Sequence, residues 1–164
     1  MKPIKFLQVY LLPRAFPASA AFGILKEGDY LMKKHGILNA QLAGYIAALG
    51  HKDTFMIGDA GMPIPKGVPV VDLAVTGGIP SFRQVMDAIL EETAIEGFTL
   101  AEEIKIKNPE LLHYIREKLD GCECEFIPHI QLKQRSAFVK FAVRTGEFTP
   151  YPNVILRAGV AFPA

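Results

Sequence analysis

The chain has 164 residues, 50% of them hydrophobic, and carries 18 Lys and Arg against 17 Asp and Glu for a net charge of +1. That length suits one domain able to bury a core, and that composition excludes disorder along most of the chain. Such balanced charge offers no footprint for nucleic acid or an anionic membrane, so a small molecule is the default ligand.

Residues 1–31 stand apart, with Pro3, Pro13 and Pro17, basic residues at the start and an apolar stretch from Phe6 to Leu12. The basic start and the small residues from Ala18 to Ala21 fit a signal peptide. However, Gln8 breaks the apolar run, Pro13-Arg14 stops it, and it is too short to span a bilayer. The genetic code gives another reading: Lys26-Glu27-Gly28 can be written AAG-GAG-GGN, a purine-rich ribosome-binding sequence three codons before Met32. We therefore expect a non-native extension from a mis-assigned start over residues 1–31, ahead of a genuine disordered tail and then a signal peptide. One domain is expected over residues 32–164.

Asn39 is placed to cap a helix whose apolar positions Leu42, Ala43, Ile46 and Leu49 follow the 3.6-residue period, with Gly50 closing it. Thr54 to Ile57 reads as a buried strand, running into Gly58-Asp59-Ala60-Gly61 and a proline-rich turn from Met62 to Pro69. Val70 to Val75 is a second strand. Ser81 and Gln84 form a capping box that opens a helix to about Ala94, and Phe98 to Ile104 follows as a strand. Asn108-Pro109 supplies an N-cap and first-turn proline for a helix to about Leu119, which Gly121 ends. Cys122 to Ile127, Ala137 to Val143 and Val154 to Val160 complete the strands. Helices and strands interleave, which predicts an α/β fold: one layered domain around a central sheet.

Candidate chemistry concentrates at strand ends. His51 follows Gly50 and reads either as a surface histidine in a turn or as a proton-transfer residue, supported by a carboxylate such as Asp59. Asp59 itself ends an apolar strand, where ligands bind in α/β sheets, although a turn or cap role fits as well. His129 and Lys133 share a face if residues 129–134 turn as a helix, as a pair of hydroxyl-binding donors or as a solvated polar turn. Tyr151 and Asn153 flank Pro152 in a polar loop starting at Arg144, and they point the same way if that stretch is extended. Ligand contact suits them better than packing, because an apolar role does not need the amide. Arg144 and Glu147 are placed to pair and brace this loop.

Cofactor motifs are lacking: there is no GxGxxG phosphate loop, no HExxH and no Ser/His/Asp elbow. Cys122 and Cys124 form a lone CxC, which reads as two reduced thiols on one face of a strand and not as a metal site. No cofactor or metal is expected.

Four segments in order carry a resemblance: Met32-Lys-Lys-His-Gly-Ile-Leu-Asn39, Leu49-Gly-His51, Asp59-Ala-Gly-Met-Pro-Ile-Pro65 and Arg144-Thr-Gly-Glu-Phe-Thr-Pro-Tyr151-Pro-Asn153. Together they resemble the D-ribose pyranase family, over residues 32 to about 162 and from its usual Met-Lys-Lys start. The resemblance implies a cytoplasmic isomerase that interconverts β-D-ribopyranose and β-D-ribofuranose and feeds ribokinase. It implies His51 as the catalytic acid and Asp59 as its orienting, sugar-binding partner. His129, Tyr151 and Asn153 become ribose contacts, with Lys133 at a neighbouring polar position. At Pro152, where family members often have Ala, any contact through a backbone N–H is removed. The family assembles as rings, commonly decamers, with sites at subunit contacts, so a second copy of the chain is an expected partner besides D-ribose. The related fucose mutarotases share the Tyr-x-Asn element but usually lack the Phe-Thr-Pro before it and the Gly-x-Pro-x-Pro after the Asp. Fucose mutarotation, or ribose binding without turnover in a transport-associated subunit, are the alternative functions.

Overall fold

The computed structural model describes residues 33–162, so the expectation for residues 1–31 falls outside the described residues. The elements run α1 (Ala40–Ala47), β1 (Thr54–Gly58), β2 (Val70–Asp72), α2 (Phe82–Leu90), β3 (Ile95–Ala101), α3 (Ile104–Lys107), α4 (Pro109–Lys118), β4 (Glu123–Ile127) and α5 (His129–Arg135). A 3-10 turn over Ser136–Phe138, β5 (Ala142–Arg144) and β6 (Val154–Ala158) complete the order. The α/β expectation is met by a six-stranded sheet in the order β2-β5-β1-β6-β3-β4.

The caps form where the side chains demand them. Asn39 accepts from Leu42 N–H, Ser81 and Gln84 make both bonds of the capping box, and Asn108 accepts from Leu111 N–H ahead of Pro109. Each satisfies a backbone donor that the first helical turn leaves orphaned, a contribution of about 1 kcal/mol. Alternation then divides the strands between two faces. Phe55 and Ile57 of β1 join Val71, Val143, Phe98, Leu100, Val154 and Leu156 against the apolar sides of α1, α2 and α4. Met56, Ala142, Ile155, Ala101 and Ile127 face the other way, toward Leu132 of α5 and Met62. Burying side chains of this size stabilises by about 1.5–3 kcal/mol each.

Strand direction matters most for function. β1, β5 and β2 are mutually parallel, β3 and β4 are parallel, and β6 runs antiparallel to both β1 and β3. The C-terminal ends of β1 to β5 therefore share one sheet edge with the N-terminal end of β6. That edge gathers Asp59, Arg144, Glu103, His129 and Asn153, while the start of β1, with His51 before it, lies at the other.

Several boundaries differ from expectation. The strand expected over 137–143 is confined to Ala142–Arg144, because Ser136–Phe138 turns as a 3-10 helix and Lys140 is drawn into an ion pair with Asp53 at 2.7 Å. The strand from Val70 stops at Asp72, whose carboxylate accepts from Ala74 N–H and closes a turn. β3 starts earlier than expected and ends at Ala101, leaving Ile104 to open α3. α2 stops at Leu90, short of Ala94, and α1 ends at Ala47 with Ala48 as its C-cap; Gly50 instead donates its N–H to Asp53. Cys122 precedes β4 and turns its thiol to the Ile95 carbonyl at 3.1 Å, and both cysteines are free. Among the described residues no helix is long and apolar enough to cross a membrane.

Candidate functional site

Asp59, Gly61, His129, Lys133, Glu147 and the residues up to Tyr151 line a cleft of about 470 Å³ at the shared edge, a volume suited to a small ligand. β1 delivers Asp59 there, and β6 delivers Asn153, which is 1% exposed. The two lock reciprocally: Asn153 Nδ2 donates to Asp59 Oδ2 at 2.8 Å, and Asp59 N–H donates to Asn153 Oδ1 at 3.0 Å. Gly61 N–H holds the second carboxylate oxygen at 2.8 Å. The approach needs Gly58, since a Cβ there would lie 3.0 Å from Asn153 Oδ1 and 3.2 Å from Met62 Cβ. Asp59 thus presents a fixed carboxylate to the cleft, and Asn153 fixes it.

β4 passes directly into α5, which puts His129 and Lys133 one turn apart on the cleft. The His129 N–H donates to both carboxylate oxygens of Glu103, at 3.1 and 3.0 Å, setting the start of α5. Its ring meets Tyr151 edge-on, with centroids 4.9 Å apart and planes at 75°. His129 Nε2 is buried with no hydrogen-bond partner among the described residues. Burial, and then the Lys133 cation, push the His129 pKa below its ordinary value against the carboxylates of Glu103 and Asp59. A neutral imidazole with a free ring nitrogen can accept from or donate to a hydroxyl.

Tyr151 departs from the extended geometry expected ahead of proline: its φ is +60°, in the left-handed region. Such a conformation costs a non-glycine residue about 1–3 kcal/mol and clusters at ligand sites. The turn seats the phenol ring against His129 while the chain passes Asn153 back to Asp59. Pro152, expected beside the sugar, is buried and does not line the cleft.

The bracing of this loop differs from expectation. Arg144 and Glu147 do not pair. Arg144 bonds Asp72 at 2.5 Å and donates to the Ala60 carbonyl at 3.2 Å, clamping the Asp59 turn. Glu147 accepts the N–H groups of Phe82, Phe148 and Thr149, at 3.2, 3.1 and 3.1 Å. Burial would raise its pKa, but these donors outweigh burial and hold the carboxyl below its usual range. The signal for this bond lay in the capping box, which leaves the first-turn N–H of Phe82 to be satisfied from outside the helix.

His51 stands elsewhere. It lies half-exposed before β1, with Nε2 2.9 Å from Glu96 Oε2, and Arg157 Nε donates to Glu96 Oε1 at 2.7 Å. The His51 bond, followed by Arg157, holds the Glu96 carboxyl below its usual range in spite of burial. Within one chain Asp59 is therefore not the partner of His51: β1 carries the two to opposite edges, and β3 brings Glu96 in its place. No motif in the sequence marked Glu96.

Comparison with known proteins adds three findings. The model of the RbsD / FucU transport protein family matches residues 32–161. A D-ribose pyranase of Geobacillus kaustophilus is 48% identical over 131 residues, covering 80% of this chain and 96% of the relative, and one of Streptococcus uberis is 52% identical over 130 residues, covering 79% and 98%. The solved structure of Bacillus subtilis RbsD complexed with D-ribose aligns with a TM-score of 0.77 at 44% identity, over 80% of this chain and 100% of that one.

Proposed function

This chain belongs to the RbsD / FucU transport protein family, and from that premise we propose that it is a cytoplasmic isomerase interconverting β-D-ribopyranose and β-D-ribofuranose, whose furanose product feeds ribokinase. The observation that carries the reading is the convergence of Asp59, His129, Lys133 and Tyr151 on one cleft, with His129 Nε2 buried and unpartnered among the described residues. A sugar is a neutral ring of hydroxyls, each both donor and acceptor. A fixed carboxylate, a neutral imidazole and an ammonium offer it both kinds of partner, and an aromatic edge covers its apolar side.

The reaction needs only proton movements. The anomeric hydroxyl of the pyranose gives up its proton as the bond from C1 to the ring oxygen breaks and that oxygen takes one up. The open-chain aldehyde is then attacked at C1 by O4, which loses its proton as the new carbonyl oxygen gains one, leaving the furanose with no net change in atoms or electrons. Asp59 holds a hydroxyl in line, His129 and Tyr151 fix the ring's orientation, and His51 supplies the proton. Acid–base catalysis of this kind contributes about 10²–10⁴-fold.

His51 and Asp59 cannot meet in one chain. The five residues of β1, at about 3.3 Å each, put roughly 16 Å between the two edges, far beyond a proton-transfer contact. The site is thus completed by a second copy, whose His51, oriented by Glu96, closes over the first copy's cleft; a closed ring, as in a decamer, repeats that contact without leaving an unused edge. His51→Ala tests the assignment: pyranose–furanose exchange of D-ribose, read by saturation-transfer NMR, is expected to fall to near the buffer rate with the circular dichroism unchanged. Wild-type exchange in a folded variant would remove His51 from the mechanism.

A further inference from the structure

We propose that Asn108 is a positioning residue for the sugar, holding in place the loop that carries Tyr151; the inference rests on the cleft being the ribose site. Asn108 stands at the junction of α3 and α4, and the two ends of its amide bond different partners. Oδ1 accepts from Leu111 N–H at 3.3 Å and caps α4. Nδ2 donates to Thr149 Oγ1 at 3.2 Å and to the Pro150 carbonyl at 3.0 Å. The amide has two hydrogens, and both go to the two residues just before Tyr151.

The placement matters because burial does not hold this stretch. Phe148, Thr149 and Pro150 are all exposed, with Phe148 at 76%. Glu147 fixes the start of the loop through its three N–H bonds, and Asn108 fixes its end. Immediately beyond lies Tyr151 at φ +60°. Left alone, a residue before proline relaxes toward extended backbone, and Tyr151 would carry its ring away from His129. The tether at Pro150 blocks that relaxation, so the sugar meets a phenol already in place and does not have to order it on binding.

The amide's two roles can be separated chemically. Asn108→Asp keeps an acceptor for Leu111 N–H and adds a charge favourable at the α4 N-terminus, yet it cannot donate to the Pro150 carbonyl. Asn108→Ser caps equally well and is too short to reach the loop. For both, we expect the KM for D-ribose in the exchange assay to rise roughly tenfold, with kcat within about twofold of wild type and an unchanged Tm. Asn108→Ala should show the same rise in KM together with a lowered Tm, because it loses the cap as well. Calorimetric titration with D-ribose should give a parallel rise in Kd. A wild-type Kd in either capped variant would overturn the inference, as would a loss confined to Tm and kcat. If the wild-type protein binds ribose without accelerating exchange, the functional reading fails, and the calorimetric comparison still decides the role of Asn108.

Discussion

Placing His51 and Asp59 at opposite ends of β1 predicts that two inactive variants will complement each other. His51→Ala removes the proton donor but leaves the cleft intact; Asp59→Asn damages the cleft but leaves His51 on its Glu96 support. Each alone should lose about 10²-fold or more in ribose exchange. Random assembly from equal amounts of the two gives sites in which a cleft with Asp59 faces a His51 from the neighbouring copy in roughly a quarter of cases. Co-expressed variants carrying different purification tags, isolated through both tags in turn, should therefore recover about a quarter of the wild-type exchange rate by saturation-transfer NMR. A site built within one chain would leave every mixed site with at least one lesion. Mixed assemblies that contain both chains equally and show no recovered exchange would refute the shared site.

Glu96→Gln retains the shape of the side chain but not the charge beside His51, and should slow exchange about tenfold with Tm unchanged, the scale of one positioning hydrogen bond of ~1.4 kcal/mol; a wild-type rate would show that Glu96 does not orient His51. His129 is held neutral by burial and Lys133, so ribose Kd should stay flat through neutrality and weaken only at acid pH. The sign for stability follows: the unfolded chain protonates His129 near pH 6.5 and the folded chain only below that, so the contribution is present above about 6.5 and is lost as pH falls toward the lowered folded value. Calorimetry and melting from pH 8 to 5 check both, and a Kd that weakens upward from neutrality would contradict the assignment. Gly146→Ala would place a Cβ 2.4 Å from the Ile79 carbonyl oxygen and 2.5 Å from that of Thr76. With backbone on both sides unable to yield cheaply, about 2–3 kcal/mol of stability should be lost, and ribose affinity with it; an unchanged Tm would contradict the geometry.

What the sequence disclosed was local. Asn39, Ser81 with Gln84, and Asn108-Pro109 marked three helix starts because a cap acts on N–H groups within its own first turn, and the strands showed through their apolar runs. The pairing order was not legible, since β5 lies between β2 and β1 although it comes long after both in the chain. Asp59, His129, Lys133, Tyr151 and Asn153 were named from motifs, and the parallel β1 and β4 together with the antiparallel β6 bring them to one edge. Within one chain His51 meets Glu96 and not Asp59, because the five residues of β1 carry His51 and Asp59 to opposite edges. The roles of Glu96 and Glu103, the partners of Glu147 and the second role of Asn108 depend on contacts across 26 to 65 residues of chain, where periodicity carries no signal.

Turnover of D-ribose between its ring forms is read directly by ¹³C or ¹H saturation transfer on D-ribose with the wild-type protein. Exchange between the β-pyranose and β-furanose resonances should run well above the buffer rate and return to it in His51→Ala. Exchange no faster than in buffer, from folded protein that binds ribose, would rule out the isomerase and leave a ribose-binding subunit.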